Sequence, residues 1–105
     1  MATKRNWAYR LKEARLAAGL SQKALGIAAS IDPFVASSRI NRYELGVHEP
    51  DHQTATRLAK ALGVPTAYLF CEDDELAEVI QYFHKLPAAK KLSAKKMLLK
   101  LQNNE

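Results

Sequence analysis

The side chains best equipped for chemistry stand together in "SSRINR", positions 37 to 42. Arg39 and Arg42 each carry a planar fork of donors, Asn41 sets an acceptor beside a donor, and Ser37 and Ser38 both give and accept. Such an inventory suits the recognition of flat surfaces that present paired acceptors, and it makes or breaks no bond unaided. The groups that could do covalent chemistry are scattered. No zinc site is expected of His48, His52, His84 and Cys71, and no cofactor is expected at all. Cys71 has acids beside it, the wrong neighbours for a reactive thiolate. There is no glycine-rich phosphate loop, and the serines have no histidine signalled as their base, so an enzyme is not expected.

Charge points the same way. The chain has 105 residues, 48% of them hydrophobic, which suits one compact domain with an appendage. Its net charge of +5 lies wholly in residues 1 to 70, where ten Lys and Arg face five Asp and Glu; residues 71 to 105 hold six of each. A basic domain of this size expects a polyanion as partner, with solubility as the plain alternative. The start, "MATKRNWAYRLKEARLAAGL", shows no apolar leader, and no stretch approaches the roughly 20 apolar residues of a membrane span. With one cysteine and so no internal disulfide, a cytoplasmic protein with no membrane contact is expected.

Helices must position these residues, for no segment alternates apolar and polar residues over strand length. Trp7, Leu11, Ala14 and Ala18 recur at helical spacing between the N-cap candidate Asn6 and Gly19. Ser21 opens a second helix through Ala24, Leu25 and Ala28, with Gly26 awkwardly inside it. Asp32 and Pro33 read as cap and first residue of a third helix, whose apolar side is Val35, Ala36, Ile40 and Tyr43 and whose end is Gly46. Asp51 and Gly63 bracket a fourth helix with Ala55, Leu58, Ala59 and Leu62, and "PTAYLF" makes a short fifth. Beyond it, Leu76, Val79, Ile80 and Phe83, then Leu92, Leu98 and Leu101 after Pro87, form two amphipathic segments.

Three stretches together, "RLKEARLAAGLSQKAL", "SSRINRYELG" and "EPDHQTATRLAKALGVPTAYLF", resemble the phage-repressor-like helix-turn-helix family of Cro/C1 or XRE type over about residues 8 to 70. The resemblance implies an all-α chain: a five-helix lambda-repressor-like DNA-binding domain at 6–70 and a helical C-terminal extension at 71–105. It implies a transcriptional regulator, in the first instance a repressor, whose third helix at about 33–45 lies in the DNA major groove. With Ile40 and Tyr43 inward, Ser37, Ser38, Asn41 and Arg42 face out and Arg39 flanks them. Arginine can then pair with guanine O6 and N7, and Asn41 with adenine N6 and N7. By the same resemblance Gln22 touches DNA. Ser21, Lys23, His48 and Asn6 stand near phosphates, while Arg15 and Glu44 form a structural pair that fixes the third helix. His52 holds a position usually apolar in the family and is expected to be half-buried.

One departure from the family pattern falls before the third helix. The distance from Ser21 to Glu44 is about four residues longer than usual, and the usual glycine of the preceding turn is absent. "DPFV" reads as the insertion, an added N-terminal turn on the third helix with Phe34 or Val35 packed back on the second helix or the tail. The apolar positions of the tail need a cover. A homodimer on a pseudo-palindromic double-stranded operator is the preferred reading, and a tail folded back on its own domain is the alternative. A protein-interaction module, such as the antitoxin of a toxin-antitoxin pair, is the runner-up function.

Overall fold

The computed structural model describes residues 6–103, so the last two positions of the expected 71–105 extension lie outside the described residues. The helices run in the order α1 (Trp7–Ala17), α2 (Gln22–Ala28), α3 (Ala36–Glu44), α4 (His52–Leu62), α5 (Thr66–Phe70), α6 (Asp74–Lys85) and α7 (Ala88–Gln102), with no strand among the described residues. This is the all-helical fold expected, a lambda-repressor-like domain followed by a helical extension.

Local chemistry sets most of the boundaries. The side chains of Asn6, Ser21 and Asp51 accept from the backbone N–H of Tyr9, Ala24 and Thr54, each satisfying a donor that the first helical turn cannot. Gly63 closes α4 at φ 72°, in the left-handed region that a glycine enters without strain. α2 ends differently. Ser30 adopts φ 67°, and Ile31 N–H reaches back to the Gly26 carbonyl at 2.9 Å while Ser30 N–H bonds the Ile27 carbonyl at 3.0 Å. That is a Schellman ending with serine where glycine is usual, sealed by the buried Ile31. The turn glycine missing from the sequence is thus replaced in conformation by Ser30.

The insertion corrects the expectation for the third helix. Pro33, Phe34 and Val35 form a turn and not an added helical turn, and α3 begins only at Ala36. Asp32 caps that turn: its carboxylate accepts from Phe34 N–H at 2.9 Å and its carbonyl from Val35 N–H at 3.0 Å. Val35, at φ −117° and ψ 1°, lies outside helical geometry and so divides the turn from the helix. Phe34 of the insertion does not pack back, and Val35 is only partly covered. Phe34 is 98% exposed and Val35 is 42% exposed, so only Ala36, Ile40 and Tyr43 form the buried side of α3.

Leu11, Leu25, Ile40, Leu58 and Leu69, one from each of α1 to α5, are fully buried at the centre. Each contributes about 1.5–3 kcal/mol by burial, and Ile40, with Ala36 and Tyr43, holds α3 to this centre. Gly26 explains itself here. A Cβ at that position would lie 2.6 Å from the Ala36 Cβ, so the glycine permits the close approach of α2 to the start of α3. Trp7 adds an edge contact to Tyr43, with centroids 5.7 Å apart, and a stacked contact to Phe70 at 6.4 Å.

The extension is tied to the domain by Arg10. Its side chain is buried under Tyr68 and donates to the Cys71 carbonyl at 2.8 Å and to Asp74 Oδ1 at 2.8 Å. Beyond that anchor the extension projects. The radius of gyration of 15.6 Å exceeds the ~13 Å of a compact chain of this length. Ala77 is the one buried residue of α6, and α7 has none. Val79, Phe83, Leu98 and Leu101 line apolar grooves between α6 and α7 and remain exposed, so the tail does not fold back over them.

Candidate nucleic-acid interface

The expected reading residues share one outer surface of α3. Ser37, Ser38, Arg39, Asn41 and Arg42 are all exposed, while Ile40 among them and Tyr43 just after them are buried, as 3.6-residue periodicity requires. They differ in how far they are already engaged. Ser38 Oγ donates to the Val35 carbonyl at 3.1 Å. Arg39 lies along the helix and donates to the Tyr43 hydroxyl at 2.7 Å, its guanidinium 5.8 Å from the ring centroid. The Arg42 side chain has no hydrogen-bond or ion-pair partner among the described residues, which leaves its donor fork open to a ligand.

Behind this surface a polar network sets the angle of the helix. Arg15 Nε donates to Glu44 Oε2 at 2.5 Å and its second terminal nitrogen to Glu44 Oε1 at 3.0 Å, while the third donor meets the Leu20 carbonyl at 2.9 Å. The two side chains are 11% and 3% exposed, so the pair is shielded from water. The hydrogen bond to Glu44 raises the Arg15 pKa above its ordinary value against the opposing effect of burial. The expected pair of Arg15 and Glu44 is therefore present, with geometry that locks α1 to the end of α3.

Gln22 extends the network outward. From the first residue of α2 its amide donates to Glu44 Oε1 at 3.1 Å and to Asn41 Oδ1 at 3.2 Å. This holds Asn41 in place and leaves the Asn41 amide nitrogen and a second lone pair on Oδ1 for another partner. Ser21 is occupied as the N-cap of α2, and Lys23 beside it is exposed. Backbone N–H groups at that helix start make a favourable place for an anion. Arg39, Arg42 and His48 line an open cleft of about 440 Å³ with Asp51 and Thr54. Asn6 stands at the far end of α1 as its N-cap.

His52 is a correction: it is the exposed first residue of α4 and not half-buried, the buried neighbour being Thr54. The sequence "HEPDH" also spaces His48 and His52 as the two ligands of an HExxH zinc helix, a match absent from the expectations above. Pro50 and the Asp51 cap break the segment, so only His52 is helical and the two imidazoles have no common helix face. Among the described residues no three His, Cys, Asp or Glu side chains group as metal ligands.

Other supporting residues had no local signal. Arg57 of α4 donates to the Ala29 carbonyl at 3.0 Å, holding the end of α2 just where Ser30 turns left-handed. Arg10 likewise reads in sequence as one more surface charge. Their partners lie 28 and 61 residues away, beyond any spacing rule.

The profile of the helix-turn-helix family matches residues 11–69, which holds α2, α3, α4 and most of α1 and α5. A search of curated proteins returns no match. Among solved structures, the crystal structure of the transcriptional regulator BswR superposes with a TM-score of 0.84 at 43% identity, over 89% of this chain and 92% of that one. No described helix is long and apolar enough to cross a membrane. The matched profile, the five-helix core and the exposed polar surface of the third helix agree, and the chain belongs to the Cro/C1 (XRE) type of helix-turn-helix DNA-binding regulators.

Proposed function

We propose that this chain represses transcription by occupying a pseudo-palindromic operator as a cytoplasmic homodimer, with α3 in the major groove. The observation that carries this reading is the exposed row from Ser37 to Arg42 on a helix whose other side is fixed by Ile40, Tyr43 and the Arg15–Glu44 pair. Arg42, with its donors open, is assigned to guanine, and Asn41, steadied by Gln22, to adenine. Arg39 and His48, lining the cleft beside α3, are assigned to phosphates, as are Lys23 and the start of α2 at Ser21. Ser37 and Ser38 complete the surface. In this account residues 6–70 are the reading unit and residues 71–105 the pairing element.

The grooves between α6 and α7 support the dimer. Two copies packed there would cover Val79, Phe83, Leu98 and Leu101, which the single chain leaves in water. The same uncovered face supports a second reading, in which a different protein, such as a toxin, occupies it. Selection of duplexes from a random library, with sedimentation of the free protein, tests both. A two-fold symmetric site with half-sites one helical turn apart and a sedimenting dimer are expected. A monomer that enriches no sequence would leave only the partner-binding reading.

A further inference from the structure

We propose that Phe34 is a base reader whose ring packs on the C5-methyl group of a thymine beside the bases faced by α3. The inference rests on the DNA-binding reading above and adds a specificity-determining residue from the "DPFV" insertion. Phe34 is 98% exposed, more than any other large apolar residue of the described chain. Burying such a ring is worth about 1.5–3 kcal/mol, and this fold forgoes it.

The exposure is not that of a slack loop. Pro33 fixes the backbone on one side of the ring. Phe34 N–H is held by Asp32 Oδ1 at 2.9 Å, Val35 N–H by the Asp32 carbonyl at 3.0 Å, and Ala36, fully buried, seats against Gly26. The turn therefore presents the ring outward while being pinned at both ends, so little conformational freedom remains to be lost on binding. Arg39 N–H bonds the Val35 carbonyl at 2.9 Å as α3 begins, which puts Phe34 at the entry of the helix, just ahead of Ser37 and Ser38.

Position and chemistry then coincide. The N-terminal residues of a recognition helix are those that meet base edges. The major groove offers one apolar group, the thymine methyl, and phenylalanine is among the side chains that contact it. Along the chain Asp32, Ser37 and Ser38 are polar and exposed, and Pro33 and Val35 are the apolar residues next to the ring, a short apolar point and not the broad patch that a protein partner would need. In unmodified DNA only thymine supplies that methyl.

The test uses the full chain and its preferred duplex from a random library, with each thymine replaced in turn by deoxyuridine. Wild-type binding is expected to weaken about fourfold at one thymine per half-site, equivalent to ~0.8 kcal/mol for one buried methyl. Phe34→Ala should fold as the wild type, because the ring has almost no contact with the domain, and should bind both duplexes equally. Phe34→Leu should keep about twofold discrimination. A preferred duplex indifferent to every thymine methyl, or a Phe34→Ala protein with the fourfold ratio intact, overturns this inference alone. Failure to select any duplex overturns the DNA-binding reading and this inference with it.

Discussion

Replacing Glu44 with alanine probes the coupling between scaffold and reading surface. The substitution removes both charge-assisted bonds to Arg15, at 2.5 and 3.0 Å, and the acceptor of Gln22 at 3.1 Å. Arg15 keeps only the Leu20 carbonyl, and its side chain is too shielded for water to replace the carboxylate fully. Breaking a buried pair by removing one partner costs about 3–5 kcal/mol. With Arg15 still 11% exposed, the lower end applies, about 3 kcal/mol. For a domain of this size that lowers Tm by about 12–24 °C, at 4–8 °C for each kcal/mol. Thermal and urea unfolding followed by far-ultraviolet circular dichroism reads it, with an unchanged m value as the sign that stability alone has moved. An Arg15→Met, Glu44→Leu double variant leaves no stranded charge and should recover most of the loss. A Glu44→Ala loss under about 1 kcal/mol, or a double variant as unstable as the two single losses added, would refute the reasoning.

The remaining predictions concern the geometry around α3. Gly26→Ala should lower stability by about 1–3 kcal/mol in urea unfolding despite the better helix propensity of alanine, because its Cβ meets Ala36 at 2.6 Å. Ser30→Gly should raise stability by about 0.5–1 kcal/mol, by relieving a side chain held at φ 67°. Asp51, whose pKa the Thr54 N–H bond lowers below the ordinary 3.8, stabilises the fold above that ordinary value. Its contribution is lost as pH falls through the lower folded value, so an Asp51→Asn protein should lose less stability than the wild type on acid titration.

Much of this architecture was legible because its causes are local. Asn6, Ser21, Asp51 and Gly63 cap helices with their own atoms or backbone freedom, and the caps fall where the sequence places them. Asp32 shows the limit of such reading. An aspartate before a proline closes a turn with the same hydrogen bond by which it caps a helix, and here the seat of Ala36 against Gly26 accompanies a helix that starts three residues past Pro33. Ser30 could not be read at all, because its left-handed geometry comes with a bond from Ile31 N–H and a buried Ile31 side chain. In the candidate interface, the outward row of α3 and the Arg15–Glu44 pair were legible through residue type and family resemblance. The bridge from Gln22 to Asn41, the turn of Arg39 toward Tyr43 and the anchoring role of Arg10 depend on tertiary distances that no spacing rule contains.

Parallel duplex selection with the wild type and Arg42→Ala tests most directly that α3 reads bases. The wild type should return a symmetric site, and Arg42→Ala should lose the guanine preference at one position in each half-site, with discrimination there falling by about 1–3 kcal/mol and the other positions kept. An identical consensus from both proteins, with affinity lowered equally for all sequences, would make Arg42 a phosphate contact and contradict the account.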